Sequence, residues 1–188
     1  LALLAQLVHA VGRLHRHGAV YGDLSLKNVA LAVRPPRVKL LDCDAAAALA
    51  DRSRVQLHSP FFEPPENASG AQKLQDELTD IYKLGICIIR GLGQGAGVSQ
   101  TRDPSSLIGV LDAAGVEVVT RAVGSVRSDR PTVGELFDCL ERNLLAKASP
   151  PMLKGAWLSR EAVLRGAAVE VIWDCDGGRQ IEISGPGG

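Results

Sequence analysis

The chain has 188 residues, of which 46% are hydrophobic and 22% are charged, a balance that excludes disorder throughout. Its 21 basic and 21 acidic residues give a formal net charge of zero, so no global field attracts nucleic acid or an anionic membrane. The four cysteines form no C-x-x-C pair, which argues against a zinc site or a disulfide framework and favours a cytoplasmic protein. No stretch is long and apolar enough for a membrane helix, and no signal peptide is recognisable.

The first predicted element is an amphipathic helix that ends at about His17. Leucine and valine recur at helical spacing from Leu4 to Leu14, and Gly18 is a typical C-terminal signal. No capping residue precedes this helix, so we expect the chain to be a piece of a longer protein. A small hairpin should follow, with strands at Asn28–Val33 and Arg37–Leu41.

Three further helices are predicted downstream. The strongly apolar segment Glu77–Arg90 is long enough for a buried helix, and the glycine-rich segment Gly91–Gly97 should be a loop. The other two helices are expected at about Pro104–Ala114 and Thr132–Leu145. The four histidines have no metal-ligand spacing and are interpreted as helix-face or loop residues.

A change of composition at Ala148–Pro151 predicts a linker over 148–156. After a short helical or irregular piece from Lys154, we expect strands at Val169–Trp173 and Gln180–Ile183, joined by a turn over 174–179. Residues 157–188 resemble the start of a truncated immunoglobulin-like or fibronectin-like β-domain.

The most informative residues are an Asp, an Asn five positions later and a second Asp after the predicted hairpin: Asp23, Asn28 and Asp42. Phosphoryl transfer needs a carboxylate near the attacking hydroxyl and oxygen ligands for Mg²⁺ at the nucleotide phosphates. Asp23 would be the base or would orient the attacking hydroxyl, and Asn28 and Asp42 would hold the metal. Taken singly, each could equally be an ordinary turn or strand-end residue.

Five landmarks in order resemble the C-terminal lobe of the protein-kinase-like fold, of a divergent bacterial Ser/Thr protein kinase type. Asp23–Asn28 matches the D-L-x-x-x-N catalytic loop, and Asp42–Asp44 stands at the metal-binding D-F-G position. Ser59–Glu66 is similar to T-P-x-Y-x-A-P-E, Asp80–Gly85 to D-x-Y-S-L-G, and Arg130–Thr132 to R-P-T. The resemblance implies a mainly α lobe over 1–147 with a small β-hairpin at the catalytic loop.

The resemblance also implies supporting contacts. Glu66 and Arg130 would form a buried ion pair between the activation segment and the helices. Asp80 would accept hydrogen bonds from the backbone of the catalytic loop. The alternatives are a plain helix cap for Asp80 and solvated surface positions for the other two.

Departures from the family pattern define further expectations. Tyr21-Gly22 replaces H-R, so the arginine that reads a phosphorylated activation loop is missing, and Ser53 and Ser59 are interpreted as ordinary loop serines. Ser25 stands where a lysine is common two residues after the catalytic Asp. Lys27 would then neutralise the transferring phosphate, or else it is a surface lysine. At the D-F-G position, Asp44 is either a second metal carboxylate or solvent-exposed, and Cys43 is interpreted as a small buried filler.

The implied activity is transfer of the γ-phosphoryl group of ATP, with Mg²⁺, to a Ser or Thr hydroxyl of a protein. No glycine-rich phosphate loop or strand lysine is found, so an N-lobe is expected upstream, and this piece alone should be inactive. The alternatives are a pseudokinase scaffold, a small-molecule kinase of the aminoglycoside or choline type, and a purely structural helical bundle.

Overall fold

The computed structural model describes residues 1–51, 59, 61–68, 75–93, 97 and 100–147, and the backbone of 152–158 and 171–176. Within these residues the chain is mainly helical, as predicted. It divides into two compact units, Leu1–Leu145 and Ala146–Gly188. None of the helices in the described ranges is both long and apolar enough to cross a membrane.

Up to Lys147, the described residues form five α-helices and two small antiparallel sheets. The helices are α1 (Ala2–Arg16), α2 (Pro65–Ala68), α3 (Glu77–Leu92), α4 (Ala113–Ala122) and α5 (Val133–Lys147). The strands are β1 (Ala19–Val20), β2 (Val29–Val33), β3 (Pro36–Leu40) and β4 (Ala47–Ala48). Short 3₁₀ turns lie at Leu26–Asn28, Cys43–Ala45, Pro104–Leu107 and Arg127–Asp129.

Helix α3 is the centre of the core. Every residue from Thr79 to Ile89 is buried, which is the burial pattern of a helix enclosed on all sides. The helix begins with a capping box in which the Asp76 side chain accepts from Thr79 N while the Thr79 hydroxyl accepts from Asp76 N.

The predictions for α1, α3 and α5 are confirmed, with ends that differ by one or two residues.

The predicted hairpin is also confirmed. Strands β2 and β3 pair in register from Val29 opposite Leu40 to Val33 opposite Pro36. Strand β1, directly before Tyr21, pairs with β4, which follows the segment Asp42–Asp44. These two pairings place the predicted site residues on neighbouring loops.

The helix predicted at Pro104–Ala114 is wrong. The chain forms a 3₁₀ turn there, passes through Gly109 at a φ of +79°, and begins α4 only at Ala113. Asp112 caps the new helix by accepting from Gly115 N at 2.6 Å. A left-handed glycine breaks the first segment, and Asp112 begins the next.

The second unit contains β5 (Met152–Leu158) and β6 (Val171–Asp176), paired antiparallel. Strand β5 begins inside the predicted linker, where a helical or irregular piece was also expected. Its register shifts between Leu153 and Gly155, and this in-strand glycine hid the strand pattern. The turn predicted over 174–179 is wrong for its first three residues, since β6 includes them. The strand predicted at Gln180–Ile183 lies outside the described residues.

Candidate active site

The Asp23 carboxylate lies at the centre of a hydrogen-bond network in the loop between β1 and β2. Its Oδ1 accepts from the backbone N–H of Ser59 at 2.7 Å and from the Ser59 hydroxyl at 2.8 Å. Its Oδ2 accepts from Asn28 Nδ2 at 3.2 Å, and the same amide donates to the Asp23 carbonyl at 2.8 Å. Asp23 and Asn28, predicted as one constellation, are in direct contact.

This network determines the charge of Asp23. Burial by itself would raise the pKa of the carboxyl, but the hydrogen bonds from Ser59, the Lys83 charge and the Asn28 amide outweigh it and lower the pKa. Asp23 is therefore ionised at neutral pH. An ionised, oriented carboxylate is suited to accepting a hydrogen bond from an attacking hydroxyl.

Helix α3 fixes the loop through Asp80, which is fully buried. One oxygen of Asp80 accepts from Tyr21 N at 2.8 Å, and the other accepts from Gly22 N at 3.1 Å. His15 Nε2, from α1, lies 3.0 Å from the first of these oxygens. The expected backbone hydrogen bonds are present, and the helix cap is Asp76 instead.

Gly22 occupies a position that no other residue fits. Its φ is +86°, and a Cβ added there would collide with the carbonyl oxygen of Ala45. The backbone conformation of this loop therefore excludes an arginine at position 22.

Tyr21 links the loop that contains Asp23 to the segment Asp42–Asp44. Its ring is fully buried, and its hydroxyl donates to the Leu41 carbonyl and lies 3.5 Å from the Asp42 carbonyl. Burial, followed by the nearby Cys43 and the acidic groups, raises the pKa of Tyr21, so the hydroxyl keeps its proton. Tyr21 therefore holds the start of the Asp42 segment against the Asp23 loop.

The three predicted metal ligands are hard oxygen donors of the kind Mg²⁺ prefers. Asn28 is buried, and its Nδ2 is directed at Asp23. Asp42 is exposed with a φ of 53°, and Asp44 is exposed on the following 3₁₀ turn. Within the described ranges no group of three or more His, Cys, Asp or Glu side chains is arranged to hold a metal ion, so a site here would combine two carboxylates with one amide. Two carboxylates and one amide are oxygen donors of the chemistry that Mg²⁺ takes.

Two other predicted positions, Lys27 and Cys43, are both exposed to solvent. Lys27 is exposed on the 3₁₀ turn, one residue before Asn28. Cys43 is exposed, so its interpretation as a buried filler is wrong. A loop residue flanked by two exposed aspartates is solvated with them.

Glu66 and Arg130 form a bidentate ion pair, with N–O distances of 2.6 and 2.7 Å. The Arg130 side chain is fully buried and also donates to the Leu78 carbonyl at 3.1 Å. Burial would raise the pKa of Glu66, but the hydrogen bond and charge of Arg130 outweigh it and lower the pKa. The pair joins α2 to the segment before α5, 64 positions apart in the sequence.

Two residues of this site, Ser59 and Lys83, were not predicted from the sequence. Ser59 lies outside the helices and strands, as interpreted, but it is buried and its hydroxyl donates to the Asp23 carboxylate. Ser53 lies outside the described residues. Ser59 is the first residue of the segment that resembles T-P-x-Y-x-A-P-E, and this position was the available signal for its role in the site. Lys83 is fully buried and donates to the Gly22 carbonyl and, at 3.2 Å, to Gln75 Oε1. A lysine within an apolar helix, three residues after Asp80, was the signal for it.

No family model matches the chain, and no curated protein matches it. The family resemblance therefore rests on the sequence motifs alone.

Proposed function

We propose that this chain is the C-terminal lobe of a divergent protein-kinase-like phosphotransferase. The complete parent protein would transfer the γ-phosphoryl group of Mg²⁺-ATP to a Ser or Thr hydroxyl of a protein. The observation that carries the proposal is the network in which Asp80 holds the Tyr21-Gly22 backbone while Asn28 and Ser59 orient Asp23.

Each residue has a role in this chemistry. Asp23 accepts the proton of the attacking hydroxyl, whose oxygen forms a bond to the γ-phosphorus as the bond to the β-phosphate oxygen breaks and ADP leaves. Asn28, Asp42 and Asp44 would hold Mg²⁺, which neutralises phosphate charge when bound. Lys27, exposed beside Asn28, is in a position to meet an anionic ligand arriving from solvent.

The nucleotide site would be completed by an upstream N-lobe in the parent protein. Within the described residues, the groups suited to this chemistry all come from one lobe-like unit. The 188-residue chain alone should bind nucleotide weakly and release little ADP.

A pseudokinase scaffold is the second candidate. The replacements Tyr21-Gly22 and Cys43-Asp44 favour it, while the ordered Asp23–Asn28 contact opposes it, because a scaffold has no chemical need for an oriented base.

The test is ADP release from Mg²⁺-ATP by the parent protein with a generic protein substrate, compared with Asp42→Asn. Asp138→Asn, on the exposed face of α5, is the matched control because it makes the same change of charge away from the site. The proposal predicts turnover in the parent and the control, and loss in Asp42→Asn. Equal and negligible rates in all three would favour the pseudokinase. Turnover only when an aminoglycoside or choline replaces the protein substrate would favour a small-molecule kinase.

A further inference from the structure

Lys83 is a buried charge that the proposed chemistry does not yet use. It belongs to the central helix and occupies the position of the serine in the D-x-Y-S-L-G pattern. Its side chain has no exposed surface, so it cannot touch a substrate. Any part it has in phosphoryl transfer must act through its neighbours.

The neighbours of Lys83 are the backbone of the catalytic loop and several acidic groups. Its Nζ donates to the carbonyl of Gly22, the residue directly before Asp23. Asp80, one turn earlier on α3, accepts from the N–H of the same Gly22. The two side chains therefore hold the peptide groups on both sides of Gly22. Because the second of these groups is the one that joins Gly22 to Asp23, they also fix the position of the Asp23 backbone nitrogen.

A neutral donor could also donate a hydrogen bond to the Gly22 carbonyl, so this contact does not explain why the buried side chain is positively charged. Burying an ammonium group is unfavourable unless negative groups compensate for it. The ionisable groups that act on Lys83 come from three elements: Asp80 and Cys87 on α3, Asp23 in the loop, and Glu63 in the segment before α2. Burial lowers the pKa of Lys83 to about 8 against the pull of these groups, so the ammonium form still predominates at neutral pH.

The catalytic loop itself lacks a cation at the expected place. Ser25, two residues after Asp23, stands where a lysine is common in the resembled family, and it is buried, 3.3 Å from the Ser59 hydroxyl. Lys27 is exposed to solvent. Lys83 is a buried cation whose charge acts on the Asp23 carboxylate.

We propose that Lys83 is a positioning residue for phosphoryl transfer: from the central helix, it anchors Gly22 and supplies beside Asp23 the positive charge that the loop lacks at Ser25. The inference rests on the proposed function for its catalytic consequence. Its structural part, the coupling of Lys83 to the Gly22 peptide, stands independently of that function.

The kinetic test compares the parent protein with Lys83→Met, which keeps the side-chain length and removes the charge. We expect kcat to fall by at least about tenfold, with the KM values for ATP and protein substrate little changed, because a mispositioned base affects the transition state. Lys39→Met, on the exposed side of β3, makes the same charge change and should leave kcat unchanged. An unchanged kcat in Lys83→Met would overturn the proposal.

A rescue variant separates the charge from the fold. In the double variant Lys83→Ser with Ser25→Lys, the cation returns from the loop side, and part of the lost kcat should be recovered relative to Lys83→Ser alone. The pH profile adds a second readout: kcat of the parent should fall as the pH rises through about 8, and this limb should be absent in Lys83→Met. A parent rate that stays constant through that range would contradict the proposal even if Lys83→Met fails to fold.

An activity-independent measurement distinguishes failure of this inference from failure of the proposed function. In the ¹⁵N-glycine-labelled chain, the Gly22 amide signal should shift with a midpoint near pH 8, and the shift should be retained in Lys39→Met and lost in Lys83→Met. A titrating Gly22 signal in this chain, with no ADP release by the parent protein, would retain the anchoring and refute the phosphotransferase. ADP release with a Gly22 signal that does not titrate would refute the role of Lys83 alone.

Discussion

Gly22 shows how one residue type can be required by its neighbours. Its positive φ disfavours any side chain, and its close approach to the Ala45 carbonyl forbids one. The same glycine carries the N–H and the carbonyl that α3 binds through Asp80 and Lys83. A methyl group here would therefore disturb the loop that contains the candidate base.

We predict that Gly22→Ala lowers the free energy of unfolding by more than the ~1–2 kcal/mol of left-handed strain alone. The matched control is Gly109→Ala, at a similar φ of +79°, where an added Cβ meets no described atom within 4 Å. Chemical denaturation of both variants would measure the difference. Equal losses would mean that the contact with Ala45 is not restrictive.

Lys83 also makes a prediction about stability and pH. Its pKa is about 8 in the folded protein and 10.5 in the unfolded chain, so between these values the unfolded chain binds more protons. The free energy of unfolding therefore rises with pH in this window as far as Lys83 is concerned, by up to ~3 kcal/mol.

The buried Cys87 thiol works in the opposite direction. Burial raises its pKa from 9.0 to about 12, so its contribution falls with pH above about 9. Because Cys87 and Lys83 act on each other, the wild-type lysine and Lys83→Met are compared in a Cys87→Ala background, which removes the thiol and isolates Lys83. Denaturation series from about pH 7.5 to 10 should show the chain with Lys83 gaining stability relative to the chain with Lys83→Met, and parallel curves would contradict the buried charge.

At the scale of elements, the close packing of α3 against α4 depends on Gly85. A Cβ added to Gly85 would lie 2.7 Å from Val123 Cγ1 and 3.0 Å from the Ala122 Cβ. Glycine in a helix interior normally weakens it relative to alanine by up to ~1 kcal/mol. Here the glycine permits two backbones to approach.

We therefore predict that Gly85→Ala destabilises the protein, by about 1–3 kcal/mol, in spite of the better helix propensity. Gly134→Ala in α5 is the control, because its added Cβ would make an ordinary 3.7 Å contact with Thr132 Oγ1 and should be neutral or stabilising. Thermal or chemical unfolding would compare the two. A stabilising Gly85→Ala would show that α3 and α4 are less tightly packed than described.

Elements with strong local signals could be predicted, and the others could not. Helix α3 carries a dense apolar run, and the β2–β3 hairpin follows from two apolar strands around prolines. Helix α4 was missed because Gly115 and several β-branched residues weaken its local propensity, while its start depends on Asp112 and on Asn143 of α5, whose Oδ1 accepts from Asp112 N at 2.8 Å. That contact joins residues 31 positions apart, which a local pattern does not contain.

At the scale of the whole molecule, the candidate site also combines contacts that local motifs predict with contacts between distant segments. The metal-binding role of Asp42 stays a prediction. The contact of Asp23 with Asn28 and the pairing of Glu66 with Arg130 could be predicted, because these residues belong to short motifs. The contacts of Ser59, Lys83 and His15 could not, because they depend on which loop residues α1 and α3 meet. Burial across distant segments decides these roles.

One helix, α3, holds the backbone of the loop that contains the candidate base. Asp80 and Lys83 on α3 fix the backbone before Asp23, and Asn28 and Ser59 orient its carboxylate. We propose that this carboxylate serves the transfer of a phosphoryl group to a protein hydroxyl.

The most direct test is transfer of a radiolabelled γ-phosphoryl group from ATP to protein by the parent chain, with the labelled residue identified. The account predicts label on serine or threonine, lost in Asp23→Asn and retained in Asp138→Asn. No label on protein from the parent chain, or equal labelling by Asp23→Asn, would contradict it.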